Sequence, residues 1–332
     1  MSIPQRIRAE LGQLSWVVRR YASLTRLRKQ ARAIRNLSLP DLPRKRRTPG
    51  SVWAVSVVRD ERDVLPSVLA HLLEQGVDHV LVADNRSTDG TRELLAELAR
   101  EDRRIHVALD EEPAHIQSEK VTTLARFAWS RGADWIIPFD ADEFWFADGV
   151  SVVDYLRAHA ADVGIVHADF HHMVPITPAP YPLRDSRFVL DATPSNPGKV
   201  AARAHPLLEI WPGNHNASRV GHVISGLHIA HAQYRSPTQI ARKVRQGVVS
   251  SKLTGEDLSW FSPHWIAGSR LTDAEIHEVF ARISRGLPDE RIEYKAVGPM
   301  LDLTPLRWET WDPAHEIRDA RLEAAGDQEQ DR

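Results

Sequence analysis

The stretches VWAVSVV (residues 52–58) and HVLVAD (residues 79–84) decide the fold class of this chain. Both are apolar runs rich in β-branched residues, as is typical of strands that are buried on both faces. Between them, leucines and valines fall on one face of a predicted helix at residues 64–73, and Gly76 closes that helix. A strand, a helix and a second strand in this order form the repeating unit of a parallel sheet.

The same alternation continues along the chain. A helix carrying Leu94, Leu95 and Leu98 precedes a short strand at residues 105–109, and a helix around Val121 precedes the apolar run WIIPF. We therefore predict the α/β class, with a mostly parallel sheet and helices on both faces. Ligands of such sheets bind at the carboxyl ends of the strands. Three polar clusters follow predicted strands, namely RDERD at 59–63, DNRSTDGT at 84–91 and DADE at 140–143.

The second half of the chain has weaker patterns. We predict a helix at 151–160 and strands at 163–168 and 199–204. Ser236 and Pro237 open a helix to about residue 250, and Thr272 with Glu275 forms a capping box for a helix to about residue 284. The last forty or so residues look like an irregular, Trp-containing tail.

Composition narrows the function classes. The chain has 332 residues, of which 42% are hydrophobic, enough to build a substantial core. Because there is no cysteine, disulfides, thiolate metal sites and cysteine nucleophiles are excluded. No apolar run reaches ~20 residues, and no apolar block follows the basic start, so we expect a cytoplasmic protein.

The first 47 residues are strongly basic, with 13 Lys or Arg against 2 acidic residues. Their apolar residues recur in helical steps of three and four from Ile7 to Leu37, which predicts an amphipathic helix followed by a linker. Such a helix can pack its apolar stripe on the body of the protein or on a second copy. It can also lie on an anionic membrane surface, which would make the protein peripheral. Nucleic acid is not an expected partner, because no aromatic-rich binding module accompanies the helix.

The DADE cluster indicates metal chemistry. Asp140 and Asp142 are two residues apart, so on an extended segment their side chains leave from the same face and repel each other unless a cation lies between them. Hard carboxylate ligands favour Mg²⁺ or Mn²⁺, which keep positions open for water and substrate phosphates. A plain surface turn is disfavoured because a buried strand precedes the aspartates and large apolar residues follow them.

The DNRSTDGT cluster can serve as a turn and as a binding site together. Asp84 and Asn85 at the strand end would face the crevice, while Asp89 is a plausible N-cap for the next helix. No glycine-rich phosphate loop follows the first strand, which disfavours dinucleotide and P-loop binding.

These motifs together resemble a known family. The segment VVRDERDVLPSVLAHLLEQGVDHVLVADNRSTDGT, followed by WIIPFDADEF, is similar to family 2 type glycosyltransferases, in the bacterial branch whose metal motif reads D-x-D-E-F. The resemblance covers residues 52–148. It implies the Rossmann-like GT-A fold, a nucleotide-sugar donor and a divalent ion on the donor diphosphate.

Carried over by position, Asp60 and Asp84 match residues that line the nucleotide pocket, and Asp140 and Asp142 match the metal motif. The family often has Asn before the first Glu, whereas this chain has Asp60 before Glu61, a departure that bears on the nucleobase contact. The expected nucleotide-sugar ligands are Asp60, Glu61, Asp84, Asn85, Lys120 and Asp140.

The expected organisation follows from the resemblance. Residues 1–48 would form the basic helix and linker, 49–150 the nucleotide-sugar half, 151–290 the acceptor half with C-terminal helices, and 291–332 the tail. The expected activity is metal-dependent, inverting transfer of a sugar to a hydroxyl of a glycan, a lipid-linked or another acceptor. The alternatives are a metal-dependent phosphoester hydrolase or nucleotidyltransferase, and a non-catalytic carbohydrate-binding relative.

Histidines and basic residues supply the remaining candidates. Transferases of this fold often complete the metal or diphosphate site with a C-terminal histidine, and His231 is our choice for it. An inverting transfer needs a base, for which His215, Asp169 and Glu209 are candidates. Glu143 would orient the site or touch the acceptor. The basic residues that could meet phosphates are Lys120, Arg235 and Lys243.

Overall fold

The computed structural model describes residues 3–159, 161–178, 183, 186–254, 263–303 and 314–330. The helices are α1 (Ile3–Tyr21), α2 (Leu24–Asn36), α3 (Leu65–Glu74), α4 (Thr91–Glu101), α5 (Gln117–Ser130), α6 (Val152–Ala158), α7 (Pro237–Lys252), α8 (Pro263–Ser269), α9 (Asp273–Ile283) and α10 (Ala314–Gln330). The strands are β1 (Leu37–Ser38), β2 (Val52–Val58), β3 (His79–Asp84), β4 (Ile105–Asp110), β5 (Trp135–Pro138), β6 (Glu143–Ala147), β7 (Val163–Pro175), β8 (Phe188–Asp191), β9 (Ser195–Arg203), β10 (Glu209–Ile210), β11 (Ala217–Ser218), β12 (His222–His231) and β13 (Met300–Leu303).

The predicted parallel core is present. Strand β2 pairs in parallel with β3 on one side and β5 on the other, and β3 pairs in parallel with β4. The order β4-β3-β2-β5 brings the carboxyl ends of four strands to one edge. The three polar clusters predicted from the sequence lie beyond the ends of β2, β3 and β5 at that edge.

Helices cover both faces of this core. Val52 and Ala54 share one core cluster with α3, whereas Trp53 and Val55 share a second cluster with Leu124 of α5. This division follows from the alternation of side chains along a strand. The α/β class with helices on both faces is confirmed.

The sheet continues beyond β5 in the order β9-β7-β12-β6. Most of these pairings are antiparallel, although β12 and β7 run parallel, so the whole sheet is mixed. Strand β6 pairs antiparallel with β12 in a register that places His231 opposite Glu143. That pairing brings the end of β12 to the acidic turn between β5 and β6.

Two predicted helix starts are confirmed. The Ser236 side chain accepts a hydrogen bond from the Gln239 amide at the start of α7, and Thr272 with Glu275 forms a complete capping box on α9. The predicted irregular tail is wrong in part, because residues 314–330 form α10, which buries Ile317 in the core. Its Ala, Glu and Arg residues favour a helix without making the apolar stripe by which helices are recognised.

The basic N-terminal segment forms two helices rather than one, because the chain is extended at Ser23 between α1 and α2. Most of its apolar stripe does not pack on the body of the protein, although Leu37 at the end of the stripe is buried. Gln13, Val17, Gln30 and Ala33 form the buried side of the two helices. The apolar residues that remain exposed are Ile3, Ile7, Leu11, Leu14, Val18, Leu24, Leu27 and Ile34. In the described part of the chain, no helix has both the length and the apolar content to cross a bilayer.

Candidate functional site

The acidic turn is the centre of the site. It joins β5 to β6 and carries Asp140, Asp142 and Glu143 at the edge where the parallel strands end. Asp142 and Glu143 are buried, while the Asp140 side chain keeps 30% of its surface exposed. Such a concentration of buried carboxylates is stable only if other groups supply compensating charge or hydrogen bonds.

Asp140 is held by three side chains from distant parts of the chain. Its Oδ1 accepts hydrogen bonds from Gln117 Nε2 at 3.0 Å and Asn214 Nδ2 at 3.1 Å. Its Oδ2 accepts one from Lys199 Nζ at 2.7 Å. Burial opposes the charge of Asp140, but Lys199 more than compensates, so the pKa of Asp140 is lowered. The carboxylate is therefore ionised and oriented at neutral pH.

Asp142 has its own set of partners. Its Oδ2 lies 2.5 Å from Lys243 Nζ and 3.7 Å from Arg235 Nη1, and its Oδ1 lies 3.1 Å from His231 Nε2. Burial disfavours ionisation, but Lys243 and His231 outweigh it and hold the pKa of Asp142 well below its usual value. Because an ionised carboxylate only accepts hydrogen bonds, Nε2 of His231 carries the proton.

His231 is prepared as a neutral imidazole. Burial lowers its pKa although Asp142 acts in the opposite direction. Its Nδ1 is buried and has no hydrogen-bond partner among the described residues. The structure thus places His231, the predicted metal or diphosphate ligand, in direct contact with Asp142 of the predicted metal motif.

Glu143 lies beneath the turn. It is fully buried, its Oε1 is 3.0 Å from Lys199 Nζ, and its Oε2 accepts a hydrogen bond from the Asp140 amide at 3.0 Å. Burial raises the pKa of Glu143 to about 7, against the opposing effect of Lys199. Glu143 does not line the cleft described below, so in this structure it orients the turn and Lys199.

The carboxylates of the site outnumber its cations. Arg235 also pairs with Glu61 and Asp63, at 2.5 and 2.7 Å. The ion pairs on the two sides of the turn involve six carboxylates (Glu61, Asp63, Asp89, Asp140, Asp142 and Glu143) and four cations (Lys199, Arg235, Arg242 and Lys243), so the carboxylates outnumber the cations by two. Burial raises the pKa of Glu61, whereas Asp63 keeps a lowered pKa because Arg235 offsets its burial.

The end of β2 is rigidly held. Asp60 has a left-handed backbone conformation with φ of 55°, and its Oδ1 accepts a hydrogen bond from the Thr88 amide at 2.6 Å. Gln246 Nε2 donates to its Oδ2 at 2.7 Å. Burial would raise the pKa of Asp60, but these hydrogen bonds to the charged form lower it. Asp60 and Glu61 both border the cleft region, as the sequence predicted for nucleotide ligands.

At the end of β3, the predicted ligands Asp84 and Asn85 interact mainly with other residues of the protein. Asp84 is fully buried and pairs with Arg92 at 2.7 Å, although its Oδ1 has no hydrogen-bond partner in the part of the chain described. Asn85 donates hydrogen bonds to Asp110 Oδ2 at 2.8 Å and to the Glu112 carbonyl at 2.7 Å, which ties β3 to β4. Of the two predicted residues, only Asn85 borders a cavity.

Lys120 is paired inside the protein. Its Nζ lies 2.7 Å from Asp110 and donates to the Glu112 carbonyl at 2.6 Å. Burial lowers the pKa of Lys120 and raises that of Asp110, while the pair opposes both changes. Lys120 touches the smaller cavity, but its charge is already compensated there.

Among the base candidates, His215 is the one at the cleft surface. Its Nδ1 lies 2.8 Å from the Gly198 carbonyl, which can only accept, so Nδ1 carries the proton and Nε2 keeps a lone pair. Burial lowers the pKa of His215, which leaves it neutral at pH 7. Asp169 is exposed on β7 and lines neither cavity, and Glu209 pairs with Arg20 and Arg126.

Two cavities meet at this edge of the sheet. The larger, of about 920 Å³, has Asp140, Asp142, His215, His231 and Lys243 in its wall. The smaller, of about 190 Å³, lies over the ends of β2 and β3 and shares Glu61 and Lys243 with the larger one. A cleft of this size, with a few convergent polar groups, fits a small-molecule site.

The acidic residues do not form a preassembled metal site. Across the described ranges, no group of three or more His, Asp or Glu side chains is arranged to hold an ion. Asp140 and Asp142 instead pair with lysine ammonium groups, and His231 is hydrogen-bonded to Asp142.

Sequence reasoning missed three residues of the site. Lys199 comes from β9, and a lysine within the apolar run that follows Gly198 could have been recognised, since a buried lysine needs a carboxylate partner. Gln117 and Asn214 gave no signal, because amide side chains are common in helices and loops. Arg235 and Lys243 were predicted to meet phosphates, and the structure places both beside Asp142.

Comparison with known proteins agrees with the motifs. Residues 54–203 match the family model described as Glycosyl transferase family 2. No curated protein matches the chain. One matching solved structure is a mannosyltransferase from Pyrobaculum calidifontis in complex with GDP-Man and Mn²⁺, with 13% sequence identity, 84% of each chain covered and a TM-score of 0.38. The matched residues run from β2 to the end of β9 and contain the acidic turn and Lys199, so this part of the chain is similar to family 2 glycosyltransferases.

Proposed function

We propose that the protein transfers a sugar from a nucleoside-diphosphate donor to an acceptor hydroxyl, with inversion and with a divalent ion, Mn²⁺ or Mg²⁺. The observation that carries the proposal is the wall of the larger cleft, where an ionised carboxylate pair, a cationic lysine and a neutral histidine lie together inside the part similar to family 2 glycosyltransferases and the segment that follows it. These groups match the needs of the donor diphosphate and of the attacking hydroxyl.

The residues fit a divalent ion in chemistry and in charge. Asp140 and Asp142 would hold it, with His231 beside Asp142, and carboxylate with imidazole suits Mn²⁺ or Mg²⁺. Asp140 and Asp142, whose lowered pKa values keep them ionised, carry the two negative charges that such an ion would neutralise. When bound, the ion supplies Lewis-acid stabilisation of negative charge on the departing diphosphate.

The lysines connect the carboxylates to the donor. Lys243 borders both cavities, and its side chain is 22% exposed, so its ammonium group can reach a phosphate in the cleft. Lys199 is buried and stays between Asp140 and Glu143. We assign donor binding to Lys243 and orientation of the acidic turn to Lys199. The base and ribose would occupy the smaller cavity, beside Asp60 and Asn85.

His215 is the proposed proton acceptor. The hydrogen bond from its Nδ1 to the Gly198 carbonyl fixes the ring and leaves Nε2 basic, and the lowered pKa keeps it neutral. A base on the acceptor side that removes the hydroxyl proton as the sugar is attacked is what an inverting transfer requires. Asp169, outside both cavities, is not assigned this role.

A panel of nucleotide-sugars tests the proposal by thermal unfolding, with and without Mn²⁺. A ligand at 100 times its Kd stabilises the folded state by about 2.7 kcal/mol, which is a shift of about 4 °C for a chain of this size. We expect one donor class to produce such a shift, and only with the ion. Equal shifts without Mn²⁺ would contradict the metal assignment. Turnover of a phosphoester that lacks a sugar, unprotected by any nucleotide-sugar, would favour the hydrolase alternative.

We also propose that α1 and α2 bring the enzyme to an anionic membrane surface. Their exposed apolar residues form rows at helical spacing, with Ile3, Ile7 and Leu11 among those on α1. Residues 3–36 also contain nine Arg or Lys and one Glu. An apolar row flanked by basic residues matches the chemistry of an anionic bilayer, where each basic residue near the surface contributes ~1 kcal/mol.

Point substitutions are the suitable test, because removing α2 would also remove Ala33 and uncover Ala114 and Ile116, with which it forms a buried cluster. We expect the double variant Ile7→Gln with Leu11→Gln to bind phosphatidylglycerol vesicles more weakly than the wild type, without loss of transfer to a soluble acceptor. Val297→Gln is the control, because Val297 is also an exposed apolar residue but lies outside these helices. Equal vesicle binding by all three proteins would refute the proposal. A wild-type dimer that dissociates in the double variant and not in Val297→Gln would also refute it, because the stripe would then contact a second copy of the chain.

A further inference from the structure

One wall of the smaller cavity is a single face of α7. The α7 residues that border the cavity have the spacing of side chains on one side of a helix, and they are Gln239, Arg242, Lys243, Gln246, Gly247 and Ser250. Lys243 and Gly247 are four residues apart, which places them about 6 Å from each other along the helix axis. This wall therefore carries a lysine and, one turn later, a position without a side chain.

Gly247 makes room for the indole ring of Trp265, which belongs to α8. A Cβ at Gly247 would lie 2.4 Å from Cδ2 of Trp265, and 2.6 and 2.8 Å from the neighbouring ring atoms Cε3 and Cε2. Because Cδ2 is bonded to three ring atoms, an atom this close to it lies above or below the ring plane and not at the ring edge. One face of the indole therefore packs against α7 at Gly247.

The orientation of the Trp265 ring is fixed from a second side. His115 packs on it edge to face, with the ring centroids 5.3 Å apart and the ring planes at 79°. The His115 amide donates a hydrogen bond to the Ser250 carbonyl at 3.1 Å, which ties the loop before α5 to α7. Trp265 thus has two supports, and it borders both cavities of the site.

Lys243 and Trp265 together match the two ends of a nucleotide. Lys243 is the residue that we assign to the donor diphosphate, and the indole packs one helical turn farther along α7. Only a ribose separates a base from its 5′ phosphate, which is a separation of the same order. Asp60 and Asn85 border the same cavity and add polar groups to its apolar ring.

We infer that the indole of Trp265 stacks on the base of the donor nucleotide in the smaller cavity, while Lys243 binds the diphosphate. The inference rests on the proposed function, since it names a further residue of the donor site. Stacking on an aromatic side chain raises the affinity for a base by roughly tenfold to a hundredfold and tolerates any base, because every base has a π face. Trp265 therefore contributes affinity, and the choice of base belongs to the polar groups of the cavity.

Titration calorimetry on the full chain with Mn²⁺ tests this inference, with ADP, CDP, GDP, UDP and pyrophosphate as ligands. We expect Trp265→Leu to weaken binding of the tightest nucleoside diphosphate by about tenfold or more, because leucine has no π face. Pyrophosphate has no base, so its affinity should not change. Trp265→Phe keeps an aromatic ring and should lose less affinity than Trp265→Leu.

Two further variants complete the test. Gly247→Ala keeps the indole but displaces it, so it should also weaken binding of the nucleoside diphosphate, although alanine favours a helix more than glycine does. Trp211→Leu is the matched control, because Trp211 is an exposed tryptophan that borders the larger cavity and not the smaller one, so its nucleoside diphosphate affinity should equal that of the wild type. Equal losses for pyrophosphate and nucleoside diphosphate in Trp265→Leu would overturn the inference, since the ring would then not act through the base.

Free nucleotides separate this inference from the proposed function. If the wild type binds a nucleoside diphosphate and Trp265→Leu binds it equally well, only the stacking role is refuted. A loss in Trp265→Leu that is seen with the nucleotide-sugar and not with the free nucleoside diphosphate also refutes it, because the ring would then contact the sugar. If the wild type binds no nucleoside diphosphate and no nucleotide-sugar, the proposed function itself fails.

Discussion

Replacement of Asp142 by asparagine would change the charge of the site with almost no change in shape. Asp142 Oδ2 lies 2.5 Å from Lys243 Nζ and 3.7 Å from Arg235 Nη1. The asparagine side chain can still accept a hydrogen bond from His231 through its carbonyl oxygen. The variant therefore removes one negative charge from between two cations, and the cluster becomes less suited to a divalent ion.

The loss of stability in Asp142→Asn depends on which ion-pair partners Arg235 and Lys243 keep. Arg235 keeps its pairs with Glu61 and Asp63, so it remains compensated. Lys243 loses its short contact, but its side chain is 22% exposed and can turn to water. Breaking a fully buried pair costs about 3–5 kcal/mol and breaking an exposed one less than about 1 kcal/mol, so we expect a loss of about 1–3 kcal/mol in the free energy of unfolding. The variant should remain folded.

The effect on transfer should be larger than the effect on the fold. Loss of one electrostatic group that acts on the developing charge typically lowers kcat by about 10²–10³. We expect that loss in Asp142→Asn, together with loss of the Mn²⁺-dependent donor shift. The assays are urea unfolding without ligand, thermal unfolding with donor and Mn²⁺, and turnover at saturating donor. Asp169→Asn is the matched control, because Asp169 is an exposed carboxylate outside both cavities.

Two results would refute this reasoning. Wild-type turnover by folded Asp142→Asn at saturating Mn²⁺ would show that Asp142 neither holds an ion nor stabilises the leaving group. An equal loss of turnover in Asp169→Asn would show that the base or another essential group lies on β7, away from the cleft.

Other substitutions separate the roles of the remaining residues. His231→Ala should weaken Mn²⁺-dependent donor binding in calorimetric titration. His215→Ala should leave donor binding unchanged and slow transfer. The reverse pattern would show that the two histidines have each other's role. Gly213→Ala should slow transfer about as much as His215→Ala. Gly213 has φ of +69°, and a Cβ at this residue would lie 2.5 Å from the His215 ring and displace it. Full activity of Gly213→Ala would show that the position of the His215 ring is not critical. Burial holds the pKa of His172 at about 3, so on acidification the unfolded chain takes up a proton near pH 6.5 and the folded one does not. The free energy of unfolding of the wild type should therefore fall as the pH drops below 6.5. In urea unfolding, the fall between pH 7 and pH 5 should be about 2 kcal/mol smaller in His172→Gln than in the wild type. Equal falls in the two proteins would show that His172 is protonated in the folded state.

Local patterns were enough to predict the parallel core. The apolar runs at β2 and β3 and the helix stripes between them are short-range signals, because the period of a strand or helix appears within about ten residues. The carboxyl ends of the strands then had to share one edge, so the position of the acidic turn followed without any knowledge of tertiary contacts.

Partners that come from distant strands were not predictable in this way. Lys199 reaches Asp140 because β9 pairs with β5, and His231 reaches Asp142 because β12 pairs with β6. Which distant strands become neighbours depends on the topology of the whole sheet, and no local period reveals it. The prediction of an irregular tail was wrong for the opposite reason. Helix α10 has a helix-forming composition but lacks the apolar stripe by which a helix is recognised in a sequence.

The N-terminal stripe shows where a correct period gives the wrong buried face. Helical spacing predicted an apolar face, and the helices form, yet Gln13 is buried while Leu11 is exposed. Gln13 Nε2 donates to the Ser218 carbonyl at 2.7 Å, and Arg219 Nη1 donates to Gln13 Oε1 at 2.9 Å. A polar docking face leaves the apolar stripe available to another partner, which is the physical reason for proposing that α1 and α2 contact a membrane surface.

The lysines of the acidic turn also bear on how the donor and the ion enter the site. Before either binds, Lys243 compensates Asp142, so an ion that arrives alone must displace an ammonium group from a carboxylate at 2.5 Å. A diphosphate that arrives alone can attract Lys243 but then leaves Asp142 less compensated. If the proposed ion and donor bind together, Asp142 would hold the ion in place of Lys243, and Lys243 would be free to pair with a phosphate, so that each charge would keep a partner. Under the proposed function, the counter-ions within the fold would couple the two binding events, so the donor shift should require Mn²⁺ and Mn²⁺ alone should bind weakly.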